Sequence, residues 1–558
     1  MSPDADAGRS PSRSWLVLIA VLPGIFLTLA DATVMSVAVP QIIRSMTASV
    51  IAVSWVMNGY NLVLTVLLLT MGRLADRYGH KRVFVLGLVL FTLASVGCAT
   101  AGTVQTLVAF RVVQGIGAAA VVPTSLALLM QAYPARRQGF AAGLFGALSS
   151  AAAAFGPVLG GVLVQTWDWQ AIFWFNLPVG ALGVVLALTL VRRRPPAAAG
   201  ARLDWAGVGL SCAGLFCLTL AIIQGNEWGW TSAQILGLFA GAAAILAGFV
   251  WWELRNPSPL FDLRHFRDRT WAAASAAIMT VDVAMMGAMF MLVIFMVAMM
   301  DYTELKAGLT IATLPAAGLV IAPFAGRLVD RLGARPLAVL GAVLAAAGLV
   351  AMGLLSRTAP LDQVVWRCVL VGAGVGLSLP ALTAAGMGAL AEGVKGAGAG
   401  MLNTARQLGF LLGVAVLVAV FAHTMVVAVN DAADEGQAMT RAQTGVSQPI
   451  KDRIVAALDT ARGIDVTAGM SEIRKIAHPI ADAIGPDVGF LEGIVLIQLK
   501  DELENMLWDD VSAAFRWPFY VAAMAAAAGA VAGAFLPRRR RATAPAPPAD
   551  GQPPAAAG

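Results

Sequence analysis

Four charges stand inside long apolar runs of this chain. Asp31 lies in "LADATVMSVAVP" (29–40) and Arg111 in "FRVVQGIG". Asp282 lies in a methionine-rich run, and Arg406 in "NTARQLGFLLGVAV" (403–416). A charge near the bilayer centre costs ~2.5–3.5 kcal/mol on insertion scales, so its default reading is functional. Burial disfavours a charged carboxylate, and a neighbouring guanidinium favours it. A carboxylate held between these influences loads a proton from one side and releases it to the other. It also pairs with a cation, so proton and cationic substrate exclude each other. Asp31 and Asp282 are the candidates for that chemistry, the alternative being a hydrogen bond that packs helices. Arg406 is a counter-ion for either carboxylate; sequence does not say which. Arg367, His423 and Arg516 read as structural or interfacial charges.

Apolar elements must carry these charges. The chain has 558 residues, 59% apolar and 13% charged, with a mean hydropathy of +0.77. A soluble domain is nearer half apolar and a quarter charged. The fold class is therefore an all-α integral membrane protein. Runs of about 20 apolar residues suit a bilayer span. Fourteen are expected, at about 15–39, 50–71, 83–101, 106–127, 139–165, 171–191, 205–225, 234–252, 271–298, 307–325, 337–356, 363–384, 399–424 and 514–536. The first is too long for a signal-peptide core and reads as a retained helix.

The N-terminus, the loops on its side and the C-terminal tail hold 24 Lys and Arg, and the short opposite loops hold three. Basic loops stay inside, so both termini are expected in the cytoplasm of a plasma (inner) membrane protein. The net charge of +6 thus speaks for orientation rather than nucleic acid. Cys98, Cys212, Cys217 and Cys368 have no zinc-finger spacing, and nothing argues for disulfides. None of the six lysines stands in G-x-x-x-x-G-K-[ST]. No metal, cofactor or nucleophile constellation is visible. The chain does not read as an enzyme, and its energy must come from a gradient or a partner.

An internal repeat sets the architecture. "GRLADRYGHKR" (72–82) and "GRLVDRLGARP" (326–336) share six of eleven positions at an offset of 254 residues. Close to that offset, Arg111 matches Arg367, and Gly143 and Gly156 match Gly400 and Gly413. Asp31 finds Asp282 about one helical turn out of register. Two related six-helix bundles follow, 15–191 and 271–536, with two inserted spans at 205–252. Residues 1–14 and a disordered 537–558 form the cytoplasmic ends. Paired halves around a midplane site are the transporter pattern, in which one half rocks against the other.

"GRLADRYGHKR" resembles the signature loop of the major facilitator superfamily between spans 2 and 3. "RVVQGIG" resembles its span-4 motif and "GPVLGG" (156–161) its antiporter motif. "LADATVMSVAVP", "WDWQAIFWFNLPVG" (167–180) and "NTARQLGFLLGVAV" resemble the fourteen-span drug:proton antiporters within it. The resemblance covers the fourteen spans, apart from loop 425–513 and the tails. It implies proton-coupled efflux of amphipathic or cationic small molecules by alternating access. It also implies a role in proton transfer for Arg111, the alternative being a buried Arg that ties helices together. The loop motif becomes a latch, the alternative being a topology signal with ordinary capping: Gly72 and Gly79 permit a tight turn, and Asp76 can cap a helix and pair with Arg77, Lys81, Arg82 or a neighbouring basic group. Asp330 and Arg331 repeat it, with Pro336 replacing a basic residue.

Three features complete the expectations. In "GPVLGG", Pro157 removes a backbone hydrogen bond, and Gly156, Gly160 and Gly161 admit a facing helix closely, as suits a gate between halves. Span 9 carries eight methionines between 279 and 300, with Phe290 and Phe295. Met286, Met289 and Phe290, with Tyr60 and Asn61 of span 2, are candidates for an adaptable substrate cavity, the alternative being apolar filler. Loop 425–513 holds 15 acidic and 7 basic residues and shows helical spacing in 450–462, 471–484 and 489–507. It reads as an external helical subdomain, either a plain elaborated loop or a docking surface for an envelope partner or lipid. The partners expected are a small substrate, protons and membrane lipids. The competing functions are export of envelope lipids or lipid-like metabolites and, from another class, a non-transporting receptor or scaffold.

Overall fold

A computed structural model describes residues 11–46, 50–134, 137–193, 195, 204–257, 259–391, 394–443, 446–462, 499, 502, 503, 505, 506 and 508–537. Every regular element among them is helical. In chain order, apart from a 3-10 turn at Leu263–Arg267, these include α1 (Pro11–Ser45), α2 (Val50–Tyr78), α3 (His80–Ala99), α4 (Val104–Ala132), α5 (Gln138–Thr166) and α6 (Gln170–Leu190). Then come α7 (Trp205–Trp228), α8 (Ala233–Arg255), α9 (Arg269–Ala298), the short α10 (Glu304–Ile311), α11 (Thr313–Leu332) and α12 (Ala334–Gly353). The last are α13 (Leu361–Gly388), α14 (Lys395–Ala442), α15 (Gln448–Arg462) and α16 (Arg516–Ala534). Thirteen helices among the described residues are long and apolar enough to cross a membrane. Beyond these, α5 is a helix of 29 residues with no charged side chain.

The helices stop where backbone chemistry makes them stop. Gly79 (φ 99°) ends α2 and starts α3, and Gly333 (φ 87°) does the same between α11 and α12. Only glycine takes this φ without strain. The two residues hold the same place in the repeated eleven-residue motif. Gly72 acts differently. It lies inside α2, where a Cβ would run into the Gly396 carbonyl of α14. So Gly79 makes the turn, and Gly72 makes a helix crossing.

The helices pack in two groups. α1 packs on α5 and α6, α3 on α4 and α6, and α4 on α2. α9 packs on α14 and α16, and α12 on α13 and α16. Two seams join these groups, α2 with α14 and α5 with α11. Both are closed by glycine. Gly400 abuts the Leu68 carbonyl of α2, and Gly143 abuts the Ala322 carbonyl of α11. α7 and α8 pair with each other, and α7 lies against both α2 and α14.

Two expected boundaries move. The tenth run is broken at Ala312 into α10 and α11. The thirteenth helix does not end near 424 where hydropathy falls: α14 continues to Ala442, 48 residues in all. At ~1.5 Å per residue that is about 72 Å, against about 30 Å of hydrocarbon. Its extension buries Met425, Val429, Ala432, Ala433 and Gly436 at helical spacing. These join Ile450, Ile454 and Leu458 of α15, with Leu499, Leu503 and Phe515, in one core continuous with α9 and α13. Stretch 471–484 and most of 489–507 lie outside the described residues, as do 1–10 and 538–558.

Candidate functional site

Asp31 and Arg111 meet. Arg111 Nη1 donates to Asp31 Oδ2 in a salt bridge sealed from solvent, the two side chains being 1% and 0% exposed. The same nitrogen donates to Gln114 Oε1 at 2.8 Å, and Nε donates to the Val56 carbonyl at 2.9 Å. The Tyr60 ring lies 4.3 Å below the guanidinium, and its hydroxyl donates to the Thr28 carbonyl at 3.0 Å. A buried guanidinium of this kind is held in a fixed position. Asp31 Oδ1, by contrast, has no hydrogen-bond partner among the described residues.

α1 carries Asp31 to this point because α5 packs close beside it. A Cβ at Gly156 would strike Thr33 Oγ1, and one at Gly160 would lie 3.0 Å from the Val34 carbonyl. "GPVLGG" therefore faces α1 of its own half, not the other half. Its position on α5 explains this: Gly139 and Gly143, more than ten residues earlier, are the ones turned to α11. Gly161 meets nothing within 4 Å, so two of the three glycines make the close approach. Pro157 lies within α5.

Asp282 is fully buried on α9. Its Oδ2 accepts from Arg406 Nε of α14 at 3.3 Å, and its Oδ1 has no partner among the described residues. Arg406 is 20% exposed and lies 6.0 Å from the Phe410 ring centre. Gly409 and Gly413 bring α14 against the Met279 and Val283 carbonyls, close on either side of Asp282. Arg367, the repeat mate of Arg111, does not join Asp282. It donates to the Ala351 and Gln363 carbonyls at 2.8 and 2.6 Å, tying α12 to α13.

The repeated loops build a second pair of equivalent contacts. Asp76 accepts from the backbone N–H groups of Gly396 and Ala397, both at 2.8 Å, at the start of α14. Asp330 accepts from Gly139 and Phe140 at 2.9 and 3.2 Å, at the start of α5. Each carboxylate thus caps a helix of the opposite half, where the helix dipole favours a negative charge. The pairing expected with Arg77, Lys81 or Arg82 is not what forms. Arg77 lies over the Tyr78 ring, Arg82 is exposed, and Lys81 caps the last carbonyls of α6 through Leu188 and Val191. Arg331 is exposed. His80, one turn after Asp76, lies 3.3 Å from it.

The residues expected in a substrate cavity divide. Tyr60 is wholly buried, its ring the floor of the guanidinium site. Asn61, Met286 and Met289 are half-buried and Phe290 is exposed. Met279 and Met286 follow the helical spacing of Asp282 and share its face of α9. Met291, Met296 and Met299 belong to the core. Two uncharged residues at the first site have no counterpart in the sequence reading: Gln114 and Asn176. Asn176 lines a small cavity with Asp31.

A family model described as Major Facilitator Superfamily matches residues 21–414. The chain belongs to the Major Facilitator Superfamily. The multidrug resistance protein Stp of Mycobacterium tuberculosis is 34% identical over 482 residues, covering 86% of this chain and 88% of Stp. The tetracenomycin C resistance and export protein of Streptomyces glaucescens is 31% identical, covering 73% of this chain and 75% of its own length. The methylenomycin A resistance protein of Bacillus subtilis is 34% identical, covering 72% and 86%. Among solved structures, the human organic anion transporter MFSD10 (TETRAN) superposes with a TM-score of 0.56 at 14% identity. It covers 74% of this chain and 94% of that one. This superfamily member is therefore a multi-pass membrane transporter, not an enzyme.

Proposed function

We propose that the protein is a proton-coupled exporter of amphipathic or cationic small molecules, a fourteen-span antiporter of the plasma membrane. One observation carries the reading. Two buried carboxylates, Asp31 on α1 and Asp282 on α9, each have one oxygen on a guanidinium and the other unpartnered among the described residues. A buried carboxylate oxygen without a donor is costly to leave so, and a proton or a cation relieves it. Either occupant excludes the other, which is the condition for exchange. The resistance and export proteins among its relatives support the outward direction.

The geometry suggests how exchange is tied to rocking. Asp76 and Asp330 hold the two seams at the end of the molecule that carries the repeated loops, which the basic residues assign to the cytoplasm. With these caps formed, that end is closed. Rocking the halves breaks two bonds at each cap and opens it. Protonation of Asp31 or Asp282 changes the charge within one half and biases which state is preferred.

Substrate-stimulated proton flux tests this reading. The protein is reconstituted in liposomes holding a pH-sensitive dye, and a panel led by ethidium, a lipophilic cation, is added. The expected result is proton movement that rises with substrate and reverses with the gradient. Substrate transport that proceeds at the same rate without any pH gradient, and without proton movement, removes the coupling.

A further inference from the structure

Asp31 Oδ1 has no hydrogen-bond partner among the described residues, the Arg111 contact being made by Oδ2. Residues of α1, α5 and α6, Asp31 among them, line a small, partly open cavity of about 10 Å³, roughly the space of one water. Among the described residues, its polar lining is Asp31 and Asn176; Leu159, Leu163 and Phe175 are among the apolar remainder. Asn176 is 5% exposed. Its Nδ2 donates to Ser95 Oγ at 3.0 Å, and Ser95 donates to the Phe173 carbonyl at 3.1 Å. One N–H anchors the amide to α3; a primary amide also offers a second N–H and a carbonyl oxygen.

The same helix pair carries further polar atoms toward the end of α1 opposite Pro11. Gln170 Oε1 on α6 and Gln41 Oε1 on α1 are buried without a partner among the described residues. Gln170 lies six residues from Asn176, and Gln41 ten from Asp31, about 9 and 15 Å along their helices. On the topology above, this is the outer end. α1 and α6 thus carry buried, unpartnered amide oxygens on the outer side of the Asp31–Asn176 cavity.

We propose that the cavity binds a water bridging Asp31 Oδ1 and Asn176, and that protons reach Asp31 through it, along the α1–α6 packing from the outer end. A proton arriving on this water leaves as the carboxylic O–H of Asp31, and the water is restored neutral. The groups that face Asp31 from other elements are Arg111 of α4, Tyr60 of α2 and Cys98 of α3. Among the described residues, α5 and α6 bring no titratable side chain to the cavity. So the guanidinium occupies one side of the carboxylate and repels an incoming proton, and the neutral amide side is the side left for entry. Asn176 is on this account a positioning residue, acting through the water. The proposal rests on Asp31 as a proton-coupling group.

The test follows proton uptake by Asp31 itself. Full-length protein in lipid nanodiscs is taken through a rapid pH drop, and the infrared carboxylic-acid band that Asp31→Asn abolishes is timed. Two variants remove the water by different routes: Asn176→Leu deletes its polar partner, and Leu159→Phe fills its space. Both are expected to slow the Asp31 band at least tenfold and to leave its final amplitude unchanged. Asn176→Ser, which replaces the amide with a polar hydroxyl and adds room, is expected to retain the wild-type rate. Unchanged rates in both variants overturn the relay. Slowing by Asn176→Leu alone also overturns it, because the effect then runs through Ser95 and packing. If the wild type shows no Asp31-dependent band, it is the coupling role of Asp31 that has failed.

Discussion

The two buried carboxylates, Asp31 and Asp282, are supplied with counter-ions differently. Asp31 is met by Arg111 from α4, a helix of its own half's interior, and the pair is sealed. Asp282 is met by Arg406 from α14, the helix that also forms the α2 seam, and that guanidinium is partly exposed. Arg111 is held by Val56, Gln114 and the Tyr60 ring, whereas Arg406 makes one 3.3 Å contact with its carboxylate and approaches Phe410. The repeat keeps an arginine on α13, but Arg367 is used between α12 and α13. Duplicated helices thus kept the acid and reassigned the base. The sealed site suits a fixed charge balance that a proton alone can alter.

That contrast is open to measurement, starting with the largest effect. Arg111→Leu leaves a carboxylate buried and unpaired, and a change of that kind costs about 3–5 kcal/mol. Thermal unfolding in detergent should show this loss, and Asp31→Asn in the same chain should recover most of it. Arg406→Gln should cost less, roughly 1.5–3 kcal/mol, the range for a hydrogen bond to a charged group. Equal losses at the two sites would erase the distinction between a sealed and an open pair.

The seams sharpen the comparison next. Asp76 is fully buried and Asp330 is exposed, though each caps a helix of the other half. Carboxylates at helix N-termini contribute about 0.3–2 kcal/mol, the upper end when partly buried. Asp76→Asn should therefore shift spin-label distances across α2 and α14 strongly toward the open form. Asp330→Asn should shift those across α5 and α11 weakly. The smallest effect belongs to Tyr60→Phe, which loses one hydrogen bond to α1, worth about 1 kcal/mol. A larger loss would mean that the hydroxyl, and not only the ring, holds Arg111.

The helical architecture was legible because lipid demands long apolar runs, and the repeat told which runs correspond. Asp31, Arg111, Asp282 and Arg406 stood out because charges are rare in such runs. Their pairing was not legible, since 80 and 124 residues separate the partners and only helix rotation decides who meets whom. The destination of Asp76 was hidden for another reason: its partners are backbone N–H groups, which every residue but proline possesses. Asn176 and Gln114 were missed because amides attract less notice than charges. The same signal, a polar side chain within an apolar run, would have found them. The length of α14 was missed because hydropathy marks where lipid ends, not where a helix does.

The central claim is that Asp31 carries the coupling proton. It is tested most directly by comparing Asp31→Asn with wild type in proteoliposomes, reading ethidium-stimulated proton flux at matched protein content and matched thermal unfolding. The account predicts that flux falls to the protein-free baseline in Asp31→Asn. Wild-type flux in that variant would contradict it.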